Sequence, residues 1–472
     1  MADRLRPYLF YDIAVSICST CFRKIEAKIV FEDGNVFMLK RCPAHGFERV
    51  LIADDVDYYK RCREVFLKPP EMPNRCNTPI KWGCPYDCGL CPDHEQHSCL
   101  TLIEVTDFCN LRCPICYAES GPERRNHRDL TTIEAMLDAV VANERRPDVV
   151  QISGGEPTLH PDFFRILDAA KARPIQHLMV NTNGTRIASD PAFAERLAEY
   201  MPGFEIYLQF DSFEEGPLRQ LRGADLRSVR LAALERLNKL GISTTLVVTV
   251  ERGLNDGELG KIIEYAAQQP AVRGVVFQPV QVAGRFDGFD PSRDRITLTE
   301  VRRRIPEQTS LFRPEDIIPV PCHPDSLAMA YALKSESGLM PLTGLVDPQI
   351  LINAGRNTIV LEDDTALQKA VFKTFSTNHS PESASATLRE LLCCLPKVDA
   401  PTGIDYRNVF RVIIMQFIDA YSFDVRSVKK TCVHIAHPDG QRLIPFDTYN
   451  LFYRDDLEST RLAPLREMVQ RA

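Results

Sequence analysis

Six cysteines fall into two copies of one spacing: Cys84, Cys88 and Cys91, then Cys109, Cys113 and Cys116. Three thiolates at C-x3-C-x2-C hold three irons of a four-iron cubane and leave the fourth iron open, unless another protein thiolate completes the set. The first triplet, in CPYDCGLCPDHEQHSC, meets a fourth thiol in Cys99 and reads as a closed auxiliary [4Fe-4S] site. The second, in TDFCNLRCPICYAES, has no fourth thiol nearby. Its open iron is where a small molecule can bind and react. A structural zinc site is the competing reading of paired cysteines, but a closed zinc site needs four ligands.

The N-terminal region carries further metal-type spacing. Cys18-Ser-Thr-Cys21 is followed by the alternating stretch AKIVFEDGNVFMLK and then by Cys42-Pro-Ala-His45. Asp33-Gly34 predicts a hairpin turn between two short strands. Two ligand knuckles joined by a hairpin form a zinc-ribbon or rubredoxin-like module. It would hold Zn or Fe at one mononuclear site and stabilise a segment too small for a large core of its own. Unliganded core thiols are the bland alternative. Cys62 and Cys76 have no such partners and read as non-ligands.

From about residue 101 to 300, strand-like and helix-like runs alternate. TLIEVT, VVQISG, HLMVNTNG, EIYLQFDS, TTLVVTV and GVVFQPV are β-rich and apolar, as strands buried on both faces should be. Amphipathic helical patterns lie between them, including LTTIEAMLDAVVANERR and SVRLAALERLNKLG. Six such units predict an α/β fold, a partial (β/α)6 barrel whose reactive groups collect at the C-terminal strand ends. The second cysteine triplet follows the first strand, and Gly154-Gly155-Glu156-Pro157 ends the second. Later strand ends carry Asn183, Gln209 and Asp211, which can contact a cofactor or simply cap the next helix. The expected organisation is a metal module over 1–70, an auxiliary-cluster segment over 71–100, the barrel over 101–300 and a C-terminal α+β extension over 301–472.

The extension is less legible. YRNVFRVIIMQFIDAYSF predicts a long amphipathic helix, and KTFSTNHSPESASAT a loop. Cys322, the vicinal pair Cys393-Cys394, and Cys432 either converge on a further cluster, with Cys322, Cys394 and Cys432 as ligands, or are buried structural thiols.

The open triplet together with GGEP resembles the radical S-adenosylmethionine (SAM) superfamily. The wider layout, from the CxxC and CPxHG knuckles through IEVTDFCNLRCPICYA to CVHIAHPDGQRLIPFDTYN, resembles the class D methylase-like family. That family includes tetraether lipid synthases and 7,8-dihydro-6-hydroxymethylpterin methyltransferases. The resemblance implies a SAM-binding cluster on Cys109, Cys113 and Cys116, with polar contacts to the SAM amino group from the turn Gly154, Gly155, Glu156 and Pro157, and Tyr117 near the adenine. It also implies one or two auxiliary [4Fe-4S] clusters, on Cys84, Cys88, Cys91 and Cys99 and in the C-terminal region. A mononuclear site on Cys18, Cys21, Cys42 and His45, and a low-potential electron donor as partner, belong to the same expectation. Asp447 stands where members of that family often carry a cysteine, a departure that bears on any third cluster. The implied chemistry is reductive cleavage of SAM to a 5′-deoxyadenosyl radical, hydrogen abstraction from an unactivated carbon, and formation of a C–C bond. A closed auxiliary cluster suits capture of an alkyl radical, so the expected substrate is a lipid-type chain. A pterin or other small metabolite is the second reading, and an iron–sulfur carrier or scaffold without chemistry the third.

Composition sets outer limits. The chain has 472 residues, 44% of them hydrophobic and 26% charged, enough for more than one domain with a large core. A net charge of −7 gives no support for a nucleic-acid partner. No apolar run approaches the roughly 20 residues that span a bilayer, and MADRLRPYLFYD lacks a signal-peptide core. Twelve of the sixteen cysteines precede Gly121 in metal-type clusters, which suits a reducing compartment, and the expected location is cytoplasmic. Replacing Cys109, Cys113 and Cys116 together by alanine is expected to remove about four irons and four sulfides per chain and to abolish SAM cleavage. Iron and sulfide counting and a 5′-deoxyadenosine assay check this.

Overall fold

Burial at alternate positions over most of KIEAKIVFE and all of NVFMLKRC gives a sheet with one dry face. The computed structural model describes residues 6–335, 338–345, 347–353 and 408–471. In it, β1 (Leu9–Ile17), β2 (Lys24–Glu32), β3 (Asn35–Cys42) and β4 (Gly46–Ala53) form an antiparallel meander. Asp33 and Gly34 take φ of 51° and 78°, the left-handed pair that a two-residue hairpin turn demands. Ala27, Ile29, Val36 and Met38 form the dry face, and Tyr59 of α1 (Val56–Glu64) closes it.

The second unit begins with β5 (Leu100–Thr106) and the two-residue β6 (Ile115–Cys116). Then follow α2 (Leu130–Glu144), β7 (Val149–Gly154), α3 (Phe163–Lys171), β8 (His177–Thr182), α4 (Thr185–Ser189), α5 (Pro191–Ala198) and β9 (Phe204–Gln209). The series continues through α6 (Glu215–Arg222), α7 (Arg227–Leu240), β10 (Thr244–Val250), α8 (Leu259–Gln268), β11 (Val272–Pro279), β12 (Arg285–Phe286) and α9 (Leu298–Gln308). Strands β5, β7, β8, β9, β10 and β11 pair in parallel in that order, the six expected units.

After α9 come β13 (Ile318–Pro319), β14 (Leu327–Ser335), β15 (Gly338–Pro341), α10 (Pro348–Asn353), β16 (Val409–Met415), β17 (Val433–Ala436) and β18 (Leu443–Pro445). Two of these extend the parallel array: β16 pairs with β11, and β17 with β5. The helix expected over YRNVFRVIIMQFIDAYSF is therefore corrected to a strand over its middle. Val412, Ile413 and Ile414 are β-branched and stiff, and they fit a pleated surface against β11 better than a helix. Gly274 makes room, because a Cβ there would sit 2.3 Å from the Arg411 carbonyl oxygen. Antiparallel β14 and β18 flank the array, and the sheet does not close on itself. The loop expected over 373–387, and Cys393-Cys394, lie outside the described residues.

Side chains alternate across each strand, so the inward positions form layers. The lowest layer is ionic: Arg411 of β16 reaches both carboxylate oxygens of Glu205 on β9, at 3.3 and 3.2 Å. His177 lies 3.0 Å from the same carboxylate, and the Thr245 hydroxyl donates to it. The layer above is apolar, with Leu102, Met179, Tyr207, Val247 and Val276. Burial alone would raise the Glu205 carboxyl, but Arg411 and His177 outweigh it and hold it well below the usual range.

A carboxylate depressed in the folded state contributes stability above its unfolded pKa of about 4.3 and loses it as pH falls toward the folded value. Arg411→Met is therefore expected to cost about 3–5 kcal/mol at neutral pH by stranding Glu205. The deficit should narrow below about pH 4, which urea titrations across pH would read.

Candidate functional site

The loop that leaves β5 carries the open triplet, and its backbone is pressed against the end of β7. The Gly155 amide donates to the Thr106 carbonyl at 2.7 Å, and the Glu156 amide to the Phe108 carbonyl at 2.8 Å. A Cβ on Gly154 would fall 2.3 Å from the Thr106 oxygen, and one on Gly155 2.2 Å from that of Phe108. Only glycines allow this approach, and Gly154 also takes φ of 129°. On the other side β6 pairs with β12, and the Arg285 guanidinium donates to the carbonyls of Cys113 and Ser120, both at 2.7 Å.

Cys109, Cys113 and Cys116 face a cavity of about 160 Å³ at the C-terminal ends of the strands. Gly154, Gly155, Tyr117, Asn183 and Gln209 share its wall. Among the described residues no fourth cysteine lines it, so the donor set suits a cubane with one open iron. Burial and then the Glu156 carboxylate raise the Cys109 thiol; burial raises Cys113, with Arg222 opposing. Ligation must therefore displace protons from these sulfurs.

Three expected cofactor contacts sit elsewhere. Glu156 is buried, and its carboxylate accepts from the Thr158 amide and hydroxyl, the Thr182 hydroxyl at 2.7 Å and the Asn183 amide at 2.7 Å. It ties the ends of β7 and β8 together and does not line the cavity. Pro157 opens the short turn that follows. Asp211 lies behind the wall, bonded to Arg222 at 2.6 and 2.7 Å, to Arg230 at 3.4 Å and to the Thr249 amide at 3.1 Å. Burial would raise it, but Arg222 keeps it low. Asn183 is at the wall: its amide group donates to Asn110 at 2.8 Å and stands 3.9 Å from Cys109 Sγ.

Sequence reading missed Arg222 and Arg230, which both line the cavity. A signal existed in α7, where Arg230 occupies the apolar stripe with Ala233, Leu234 and Leu237. Burial lowers the Arg230 guanidinium to about 10. Also missed were the inward amides Gln151, Asn181 and Gln281, whereas Gln278, expected at a strand end, does line the cavity. Glu104 of β5 was missed as well; it binds Arg454 through both carboxylate oxygens at 3.0 and 2.7 Å. That guanidinium lies 5.4 Å from the Tyr117 ring, which also meets Phe446 in an edge contact at 5.0 Å.

The remaining cysteines form three groups. Ligand atoms of Cys18, Cys21, Cys42 and His45 all lie within 4.8 Å of one another. Cys84, Cys88 and Cys91 surround the loop held by Asp87, whose carboxylate accepts from the amides of Lys81, Trp82 and Gly83. Hydrogen bonding to Cys84 and burial raise the Cys88 thiol. Cys99 departs from its expected set: it meets Cys322 and Cys432, again within 4.8 Å, because it sits at the foot of β5 directly beside the start of β17. Cys62 is buried in the main core and Cys76 is exposed; Cys394 lies outside the described residues.

A sulfur triplet after the first strand of an open parallel α/β barrel, with a glycine pair after the second, defines an enzyme that uses SAM and a cubane. Residues 103–266 match the Radical SAM superfamily, and residues 10–54 match the HMPTM N-terminal zinc ribbon domain. The chain belongs to the radical SAM superfamily, in the family of the 7,8-dihydro-6-hydroxymethylpterin dimethyltransferase of Methanocaldococcus jannaschii, with which it shares 32% identity over 96% of each chain. It is 28% identical to the GTP 3′,8-cyclase of Alkaliphilus oremlandii over 52% of this chain and 72% of that one. The structure of Streptococcus suis SuiB with precursor peptide SuiA covers 46% of each chain at 17% identity and a TM-score of 0.39. No helix among the described residues is long and apolar enough to cross a membrane.

Glu156→Ala would leave the Asn183 amide and two hydroxyls unpaired, at about 1–3 kcal/mol each. The variant is expected to keep its irons but bind SAM at least about 10-fold more weakly, read as the SAM-induced change in the cluster's paramagnetic resonance spectrum.

Proposed function

We propose that this radical SAM enzyme methylates a reduced pterin or a closely similar small heterocycle. The observation that carries the reading is the cavity wall. Six carboxamides, Gln151, Asn181, Asn183, Gln209, Gln278 and Gln281, share it with Arg222 and Arg230. Each carboxamide offers donors and acceptors side by side, the pattern that a pterin ring edge presents in reverse. Several already bond to the protein, and a saturated chain would give their remaining donor and acceptor positions no partner in a dry site. The lipid-type substrate expected from the sequence is set aside for that reason. The relative that shares 96% of its length with this chain, a 7,8-dihydro-6-hydroxymethylpterin dimethyltransferase by name, points the same way.

With a cluster and SAM bound, the cofactors supply a 5′-deoxyadenosyl radical. The chain's own residues do the rest. Cys109, Cys113 and Cys116 hold the cluster, and Asn183 and the Gly154-Gly155 backbone border the space beside it. Tyr117, steadied by Arg454 and Phe446, lines the cavity where a flat base can pack against it. On the apolar side Leu102, Met415, Phe417 and Phe446 exclude water that would quench a radical. Gln209 accepts from Arg222 at 3.0 Å and donates to Asn181 at 3.1 Å, so its amide is held in one orientation before substrate arrives. The triplet Cys84, Cys88 and Cys91 serves as an auxiliary iron–sulfur site beneath the C-terminal segment, where the Tyr453 hydroxyl accepts the Cys88 amide at 2.9 Å. A low-potential donor must deliver the electron that cleaves SAM.

The test is an anaerobic incubation of reconstituted protein with SAM as radical source, a one-carbon donor (a second equivalent of SAM or a methylene-bearing carrier, each tried with labelled carbon), a low-potential reductant and either 7,8-dihydro-6-hydroxymethylpterin or a saturated isoprenoid lipid. The expected result is a pterin heavier by one or two methyl groups, with 5′-deoxyadenosine formation that depends on the pterin. Coupling or alkylation of the lipid with the pterin left unchanged would overturn the reading.

A further inference from the structure

Three cysteines from distant parts of the chain meet at the foot of the barrel, at the opposite end of β5 from the SAM-cluster triplet. Cys99 immediately precedes β5, Cys432 immediately precedes β17, and Cys322 follows β13. Their exposures are 0%, 0% and 5%, and their sulfurs lie within 4.8 Å of one another. One ion takes its sulfur ligands at about 2.3 Å and therefore holds them roughly 4 Å apart. A cubane binds each ligand sulfur at a separate corner and spreads them further. The ribbon set Cys18, Cys21, Cys42 and His45 is equally close, whereas neither C-x3-C-x2-C triplet forms so tight a group among the described residues.

A histidine stands beside one of the three sulfurs and outside their tight group. His97 Nε2 lies 3.8 Å from Cys99 Sγ, and the ring is buried. Its Nδ1 is 2.9 Å from Glu144 Oε2, while Glu144 Oε1 accepts the Ser98 amide at 2.9 Å. The Glu71 carboxylate lies 3.9 Å from the same Nε2. A buried carboxylate behind the far nitrogen fixes the tautomer and turns Nε2 toward an ion, the arrangement that supports histidine ligands in metal sites. Buried thiols that serve packing alone need no such pair.

We infer that Cys99, Cys322 and Cys432 form a second mononuclear site, for a zinc-class divalent ion, and that His97, held by Glu144 beside Cys99, moves in to complete the shell when the ion binds. Three thiolates and one imidazole suit such an ion in a closed tetrahedral shell. The site clips three segments together: the start of the first barrel strand, the loop after β13 and the start of β17. This assignment stands on its own geometry and does not depend on the substrate.

Zinc, iron and acid-labile sulfide are to be counted per chain in anaerobically purified protein, wild type against Cys322→Ser/Cys432→Ser. The expected result is loss of about one mononuclear ion with sulfide unchanged. Loss of sulfide together with several irons would overturn the inference in favour of a cubane, and an unchanged metal count would overturn it in favour of plain thiols. If the double variant fails to fold, native mass spectrometry of the wild type decides: two mononuclear ions besides the clusters support the site, and one overturns it. The histidine is read separately through Glu144→Gln, which is expected to hold one of the two ions about 10- to 100-fold more weakly against a chelator. Equal retention by variant and wild type would remove His97 from the ligand set.

Discussion

The carboxylate of Asp211 holds the barrel mouth together. It is fully buried at the end of β9, with φ of 67°, and takes hydrogen bonds from two arginines and one backbone amide. Asp tolerates the left-handed region better than most residues because its short polar side chain bonds locally. Without this anion, Arg222 and Arg230 would carry two like charges into a water-poor cavity beside three thiols, and the desolvation cost would fall on both. With it, Arg222 reaches Gln209 at 3.0 Å and Thr249 at 2.7 Å, and Arg230 reaches the carbonyl of Asn183. Three strand ends, those of β8, β9 and β10, are thereby locked to one charge.

The rest of the barrel repeats that solution at a second level. The ionic layer at the bottom, an apolar layer in the middle and an amide layer at the top divide the interior by polarity. Charge at the bottom is neutralised by Arg411, a residue of the C-terminal extension and not of the core units. The extension therefore completes the barrel: β16 and β17 lengthen the parallel array on both sides, and Phe446 and Arg454 steady Tyr117 at its mouth.

Much of this could be read from the sequence. The triplet spacing, GGEP, the Asp33-Gly34 turn and six apolar runs each carry local information, and local information is what a sequence displays directly. What escaped was long-range. FRVIIM has a helical-looking stripe, yet it became a strand because the sheet edge at β11 offered Gly274 and a parallel partner, which no window of residues reveals. Cys99 was grouped with its sequence neighbours, whereas its sulfur answers to positions 322 and 432. Glu156 looked like a cofactor contact by motif, and its four hydrogen bonds show a brace between strands instead. The amides of Gln151 and Asn181 sit in runs that read as plain β-rich strands, and only the alternation of inward positions turns them toward one space.

Glu104 belongs to the first barrel strand, and the guanidinium that neutralises it arrives 350 residues later. At about 5–20 residues per second, roughly 20–70 s of translation separate the two. Throughout that interval the growing chain displays the cluster cysteines without Phe446 above them and an acid at the barrel interior without its base. Until Phe446 and Arg454 have been made, the cavity beside the cluster cysteines lacks part of its wall and Tyr117 lacks both of its supports.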